Sequence, residues 1–185
     1  AGLDPASLDL PDRWVPAAAV ADLLERAAAA SGREDFGLRL AELRRFSNLG
    51  PLSLVVREEP DVRSALRVLM RYEHMYNEAL HVRLIERGEQ VRVGVELDLP
   101  RHEARQSVEL AVGVLFSLMR AFRAATWVPL YVAFRHGPPT GTTIHRRALG
   151  PVVKFGQDHD GIGIHPDDLA APNAMAEPGL HGYAQ

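Results

Sequence analysis

Apolar side chains recur along the chain in two rhythms, and the change from one to the other marks out its elements. Between Ala104 and Arg123, Val108, Ala111, Val112, Leu115, Leu118, Met119 and Phe122 return at steps of three and four, the spacing that lines up one face of a helix. Leu110, Val114 and Phe116 add apolar side chains on the other side. A helix apolar nearly all round is buried, by its own domain or by a partner. This one is too short, and too polar at its ends, to span a membrane. Its head carries Arg105, Gln106 and Glu109, which read either as a solvated first turn or as side chains directed into a ligand cavity.

Upstream, the helical rhythm predicts a first helix over Ala17–Ser31, with Val20, Leu23, Leu24 and Ala27 on one face. Pro16 suits its first turn and Gly32 its stop. A second helix is predicted from Phe36 to Phe46, capped by Asp35 and burying Phe36, Leu40 and Leu43, with Arg39, Glu42, Arg44 and Arg45 solvated. After a turn over 47–51, Leu52 to Val56 is too short for periodicity to separate strand from helix. A third helix runs from Asp61 to about Asn77, with Val62, Leu66, Leu69, Met70 and Met75 inward.

The rhythm then shifts to alternation. Leu80, Val82 and Leu84, followed across Arg87-Gly88-Glu89-Gln90 by Val91, Val93, Val95, Leu97 and Leu99, predict a hairpin with one buried face. Leu130 to His136 alternates as a third strand. Ile144–Leu149 reads as a short helix stopped by Gly150, and residues 152–155 and 162–164 as two further short strands. The sum is an α+β domain with a mostly antiparallel sheet: hairpin 80–99 beside strand 130–136, the short C-terminal strands, and helix 104–123 packed across them after an N-terminal helical segment. Residues 1–16 read as an extended lead-in, 17–170 as a single domain, and the Ala-, Pro- and Gly-rich 171–185 as a linker.

Composition narrows the function. The 185 residues suffice for one core, and a composition 46% hydrophobic and 24% charged is that of a soluble globular protein. A formal net charge of -3 gives the chain no electrostatic pull towards nucleic acid. The absence of cysteine excludes disulfide and thiol chemistry and fits a reducing, cytoplasmic setting. No signal peptide, lipidation signal or membrane-spanning run is visible. There is no GxSxG, Walker loop, GxGxxG or HExxH, and the histidines lack metal-ligand spacing on any one helix, so no cofactor or metal is expected. Asp158-His159-Asp160-Gly161 lacks the third acidic position and distal Glu of a calcium loop and reads as a turn.

Three polar clusters remain: Tyr72, His74, Tyr76 and Asn77; Arg105, Gln106 and Glu109; Arg135 and His136. Each sits at an end of an element, and the expectation is that these ends converge on a small-molecule pocket. Tyr72 and Tyr76 would be aromatic walls. His74, Asn77, Arg105, Glu109 and His136 would supply hydrogen bonds or charge, favouring a ligand with carboxylate and donor groups. Arg105 and Glu109, four apart, can also pair on one helix face.

Several short stretches form an ordered set: residues 36–41 (FGLRLA), 49–52 (LGPL), Arg71-Tyr72, 77–80 (NEAL), Glu109-Leu110, 127–129 (WVP), 134–136 (FRH) and 149–156 (LGPVVKFG). Together, over roughly residues 17 to 170, the chain resembles the N-terminal effector-binding, arabinose-binding-domain-like part of AraC-type bacterial transcription regulators. Where relatives often carry an aromatic residue before the Leu-Gly motif, this chain has Ile144-His145-Arg146-Arg147. The resemblance implies a regulatory half that binds an unnamed small-molecule effector, forms a homodimer, touches no membrane, and reaches DNA only through a C-terminal helix-turn-helix domain outside this chain. It implies no enzyme. Two alternatives stay open: a dimerisation module without a ligand, and a small hydrolytic or isomerising enzyme using His74 or His136 with Glu109 as acid and base.

Overall fold

The computed structural model of the chain describes residues 2, 3, 6, 13–100 and 104–176. Alternation produces β1 (Leu80–Arg87) and β2 (Gln90–Leu97), paired antiparallel with Val82 opposite Val95 and Leu84 opposite Val93. Arg87 faces Gln90, so the hairpin closes on Gly88-Glu89, and Gly88 takes the left-handed φ of 56° that such two-residue turns require. The other strands are short: β3 (Tyr131–Ala133), β4 (Val153–Lys154) and β5 (Gly161–Ile164). The five form one sheet in the order β1-β2-β5-β3-β4, antiparallel except for the parallel β3/β4 pair. The fold is therefore α+β, as the sequence predicts, but the hairpin does not lie beside β3. β5 is inserted between them, where Ile162 and Ile164 are fully buried and Gly163 leaves room for the Tyr131 ring.

The helices are α1 (Ala17–Ser31), α2 (Phe36–Glu42), α3 (Leu52–Glu58), α4 (Val62–Tyr72), α5 (Arg105–Arg123), α6 (Thr143–Leu149) and α7 (Pro166–Ala170). α5 lies across the sheet. Val112, Leu115, Phe116, Met119 and Phe122 join Val93, Val132, Ile162 and Ile164 in one core, and burying each such side chain stabilises the fold by about 1.5–3 kcal/mol. None of the helices is long and apolar enough to cross a membrane, among the described residues.

Several boundaries differ from the periodicity. α2 stops at Glu42, and Phe46–Leu49 is a 3-10 turn. Its buried face is Gly37, Leu38 and Ala41, while Leu43 is 75% exposed. Small residues set this face, because α2 crosses α5 so closely that a methyl group on Gly37 would collide with the Gln106 backbone. Residues 52–56 are helical, within α3. α4 begins on Asp61, whose carboxylate accepts from the Ser64 amide at 2.8 Å. It ends at Tyr72, followed by a 3-10 turn over Glu73–Met75 that leaves Met75 exposed. β3 is shorter than expected, because Arg135 turns its amide to the Asp160 carboxylate at 2.8 Å, and not to a neighbouring strand.

Residues 171–176, assigned by the sequence to a linker, are docked. The Asn173 side chain donates to the Val56 and Glu59 carbonyls, each at 3.0 Å, and the Ala174 amide to the Phe122 carbonyl at 2.7 Å. Most of the expected lead-in (residues 1, 4, 5 and 7–12), and residues 177–185 of the expected linker, lie outside the described residues.

Candidate functional site

α5 separates two environments. At 3.6 residues per turn, Ala111, Val114 and Leu118 fall roughly opposite Glu109. The first side walls a cleft of about 1050 Å³, and the second faces a buried polar cluster.

The cleft is bounded on α5 by residues from Ser107 to Ala121, with Leu110, Val114 and Leu118 as its apolar floor. Val20 and Leu24 of α1 face it, with Phe46 and Leu49 of the 3-10 turn and Leu80 and Leu97 at the foot of the hairpin. Trp14, Met75 and Tyr76 stand at its rim, each about half exposed or more. Several polar atoms along the wall bond within the protein. The Asn77 side-chain oxygen accepts from the Ala79 amide at 3.0 Å, and the Asn48 oxygen from the Arg45 amide at 2.6 Å. Ser117 donates back to the Gly113 carbonyl at 3.0 Å, and Asp98 meets His81 at 3.0 Å. The Tyr76 hydroxyl accepts from the Leu52 amide at 3.4 Å. Arg13, Arg44 and Arg45, all exposed, have no ion-pair partner among the described residues.

The head of α5 is not a solvated turn: Gln106 is 2% and Glu109 0% exposed. Gln106 stitches α5 to the start of α2. Its side chain accepts from the Gly37 amide at 2.8 Å and donates to the Glu34 carbonyl at 3.0 Å, while its own amide donates to the Glu25 carboxylate at 2.7 Å. Glu34 in turn receives the Thr140 amide and hydroxyl, and the amide bond holds its carboxyl below the ordinary range.

One turn on, Glu109 accepts from Arg105 Nε at 3.2 Å. His136 Nε2 lies 3.4 Å from one carboxylate oxygen and His145 Nε2 3.2 Å from the other. Both histidine contacts have ion-pair distances without hydrogen-bond alignment, so they count as charge proximity and not as hydrogen bonds. The rings of Phe134 and Phe155 are stacked at 5.7 Å and enclose both imidazoles. Burial pushes the His136 pKa below its ordinary 6.5, outweighing the upward pull of the Gly137 carbonyl and Glu109. His136 Nδ1 is 2.8 Å from that carbonyl and donates to it.

The expected convergence of three element ends therefore divides. Tyr76 and Asn77 reach the cleft; Arg105, Glu109 and His136 gather in the polar cluster with His145, a member the sequence reading had not singled out. Tyr72 packs half-buried against the core and under Arg71, and His74 is exposed; neither reaches the cleft or the cluster. The Asp158–Asp160 turn directs its carboxylates at Arg92, His159 and the Arg135 amide.

A model of the protein family described as "Arabinose-binding domain of AraC transcription regulator, N-term" matches residues 1–173. The HTH-type transcriptional regulator VirS of Mycobacterium tuberculosis, from strains CDC 1551 and H37Rv alike, is 26% identical over 170 residues, which is 90% of this chain and 50% of VirS. The chain thus spans about half the length of the curated relatives it matches. The crystal structure of the transcriptional regulator CdpR from Pseudomonas aeruginosa shares the fold, with a TM-score of 0.68 at 16% identity over 88% of this chain and 54% of CdpR.

Proposed function

Since the chain belongs to the family of N-terminal arabinose-binding domains of AraC transcription regulators, we propose that it is the effector-binding and dimerising half of such a regulator, with the effector held in the cleft beside α5. The family is one of transcription-regulator domains, not of enzymes. The observation that carries the reading is the cleft itself: about 1050 Å³ against a helix whose outward apolar face the core leaves uncovered. Protein clefts of several hundred Å³ with apolar walls and a few polar groups are the usual build of small-molecule sites. On this reading Tyr76 and Asn77, at the cleft, touch the effector, while Arg105, Glu109 and His136, behind α5, do not. DNA contact falls to a helix-turn-helix domain in the same cytoplasmic regulator, since this chain is acidic.

A thermal-shift screen of sugars, amino acids and carboxylic acids on the wild-type chain and on Ala111→Trp tests the reading. A ligand at a hundred times its Kd stabilises the fold by about 2.7 kcal/mol, roughly 5–10 °C for a domain of this size. At least one compound should raise the wild-type Tm and leave the filled-cleft variant unmoved. A shift that survives Ala111→Trp, or no shift with any compound, would overturn the cleft as effector site. Sedimentation showing only monomer at high micromolar concentration would remove the dimer.

A further inference from the structure

We infer that the cleft takes an amphipathic anion, an aliphatic chain ending in a carboxylate; this rests on the effector-cleft reading above and goes on to name the ligand's chemistry. Shape is the first argument. The α5 wall runs from Ser107 to Ala121, about 20 Å of helix axis at 1.5 Å per residue. An elongated cleft of that length matches an extended chain better than a compact ring. The second argument is the wall's chemistry. A sugar carries a hydroxyl on nearly every carbon, and Leu110, Val114 and Leu118 offer those groups nothing. Each hydroxyl desolvated without a partner would weaken binding. Among the wall's polar groups, the Asn77 and Asn48 oxygens, the Ser117 hydroxyl and Asp98 already bond within the protein, so the amide nitrogens of the two asparagines and Ser107 are too few for a polyol. An aliphatic chain, by contrast, gains from leaving water along that floor.

The third argument is charge. Arg44 and Arg45 follow α2 directly into the 3-10 turn that borders the cleft, and Arg13 precedes Trp14 at its rim. No ion pair neutralises these guanidinium groups among the described residues, and against the three of them the described wall sets two carboxylates, Glu78 and the His81-bonded Asp98. Guanidinium forks bind carboxylates in bidentate geometry. An apolar body and an anionic head are thus both matched at one site, and a cationic amphiphile would be repelled from it.

Calorimetric titration and melting curves with dodecanoate, 1-dodecanol, dodecylamine and L-arabinose, each below its aggregation concentration, test the inference on the 185-residue chain. Dodecanoate should bind and raise Tm, with dodecanol and dodecylamine weaker by about tenfold or more, the loss of one charge-assisted contact. Arg44→Gln combined with Arg45→Gln should cut dodecanoate affinity by a similar factor and leave dodecanol affinity where it was. Ala111→Trp should abolish both. Equal binding of acid and alcohol, or undiminished dodecanoate binding in the double arginine variant, overturns the inference. If L-arabinose or another polar compound shifts the wild type and not Ala111→Trp while dodecanoate does nothing, the inference fails and the effector-cleft reading stands. If no compound shifts the wild type, both fail. If Ala111→Trp instead dissolves a dimer seen by sedimentation and no dodecanoate binds, a second copy of the chain is the occupant and the inference is overturned.

Discussion

Gly37→Ala puts the α2–α5 crossing to a quantitative test. In an ordinary helix this substitution stabilises, by about 1 kcal/mol, because Gly is the poorer helix former. Here the added methyl would sit 2.8 Å from the Gln106 carbonyl carbon and 3.0 Å from its Cα, inside the surface of the carbonyl oxygen. All these atoms are backbone, so no rotamer change relieves the contact, and the helices must separate. Overpacking of this kind costs about 1–3 kcal/mol, and the upper end applies where backbone has to move. Separation also loosens the Gly37 amide bond to Gln106, 2.8 Å long and buried, which adds about 1 kcal/mol. The net expectation is a loss of about 2–3 kcal/mol, a Tm lower by roughly 5–10 °C for a chain of this length. Urea denaturation followed by tryptophan fluorescence gives the free energy, and scanning calorimetry the Tm. Gly137→Ala is the control: its Cβ would meet nothing within 4 Å, so it should be neutral or stabilising by up to about 1 kcal/mol. A Gly37→Ala chain as stable as wild type would mean that α2 and α5 are further apart than described, and the small-residue account of α2's buried face would be wrong.

Three further outcomes can be checked on the same instruments. Burial lowers the His136 pKa below 6.5, so as pH falls through 6.5 the unfolded chain takes up a proton that the folded chain refuses, and stability drops by at most about 1.4 kcal/mol per pH unit. His136 faces Glu109, Arg105, Asp160 and His145; in His136→Asn, which keeps a donor for Gly137, urea midpoints should lose that part of the slope between pH 6.5 and the lowered pKa, and a slope identical to wild type would refute the assignment. Glu109→Gln keeps an acceptor for Arg105 but removes the carboxylate charge, so it should lower stability by about 1 kcal/mol, the difference between a charged and a neutral acceptor, and leave the affinity of any cleft ligand unchanged in calorimetric titration; a lost ligand response without a lost Tm would place Glu109 in the site. Asn173→Ala strands the Val56 and Glu59 carbonyls and the Met175 amide, so a loss of about 1–3 kcal/mol is expected, and a loss near zero would show that 171–176 adds nothing to the fold.

Legibility in the sequence followed the length of each pattern. Eight-residue strands repeat an alternation often enough to fix a face, which is why Val91, Val93 and Val95 were readable as core. Strands of two to four residues carry no such phase, and the insertion of β5 between β2 and β3 left no mark. α5 was readable as a helix and not in rotation, because an all-round apolar helix does not say which side meets the sheet. Val108, Ala111 and Leu118, taken with the core stripe, are only partly buried, and the last two line the cleft. The signal that was available is the phase of Gln106 and Glu109, which run in step with Gly113 and Phe116 on the buried side. His145 was obscured by its neighbours Arg146 and Arg147, although it stands four residues before Leu149 on the inward face of α6. Residues at the ends of different elements had looked able to meet, but that placement says nothing of the side of α5 on which they arrive.

α5 is in mechanical terms a beam held at both ends. Its head is tied by Gln106 to Glu25, Glu34 and Gly37, and its tail by Arg123 to Asp168 and by the Phe122 carbonyl to Ala174. Near midspan sit Gly113 and Ser117, whose hydroxyl bonds back to the Gly113 carbonyl, an arrangement that bends helices. Ala111 and Val114, which line the cleft, lie in this same unsupported span. On the far side of that span Gly113 packs against Ala41 and Leu38 of α2, with no room for a methyl group between them. α2 is thus in touch with α5 twice, at the tied head through Gly37 and at midspan through Leu38 and Ala41.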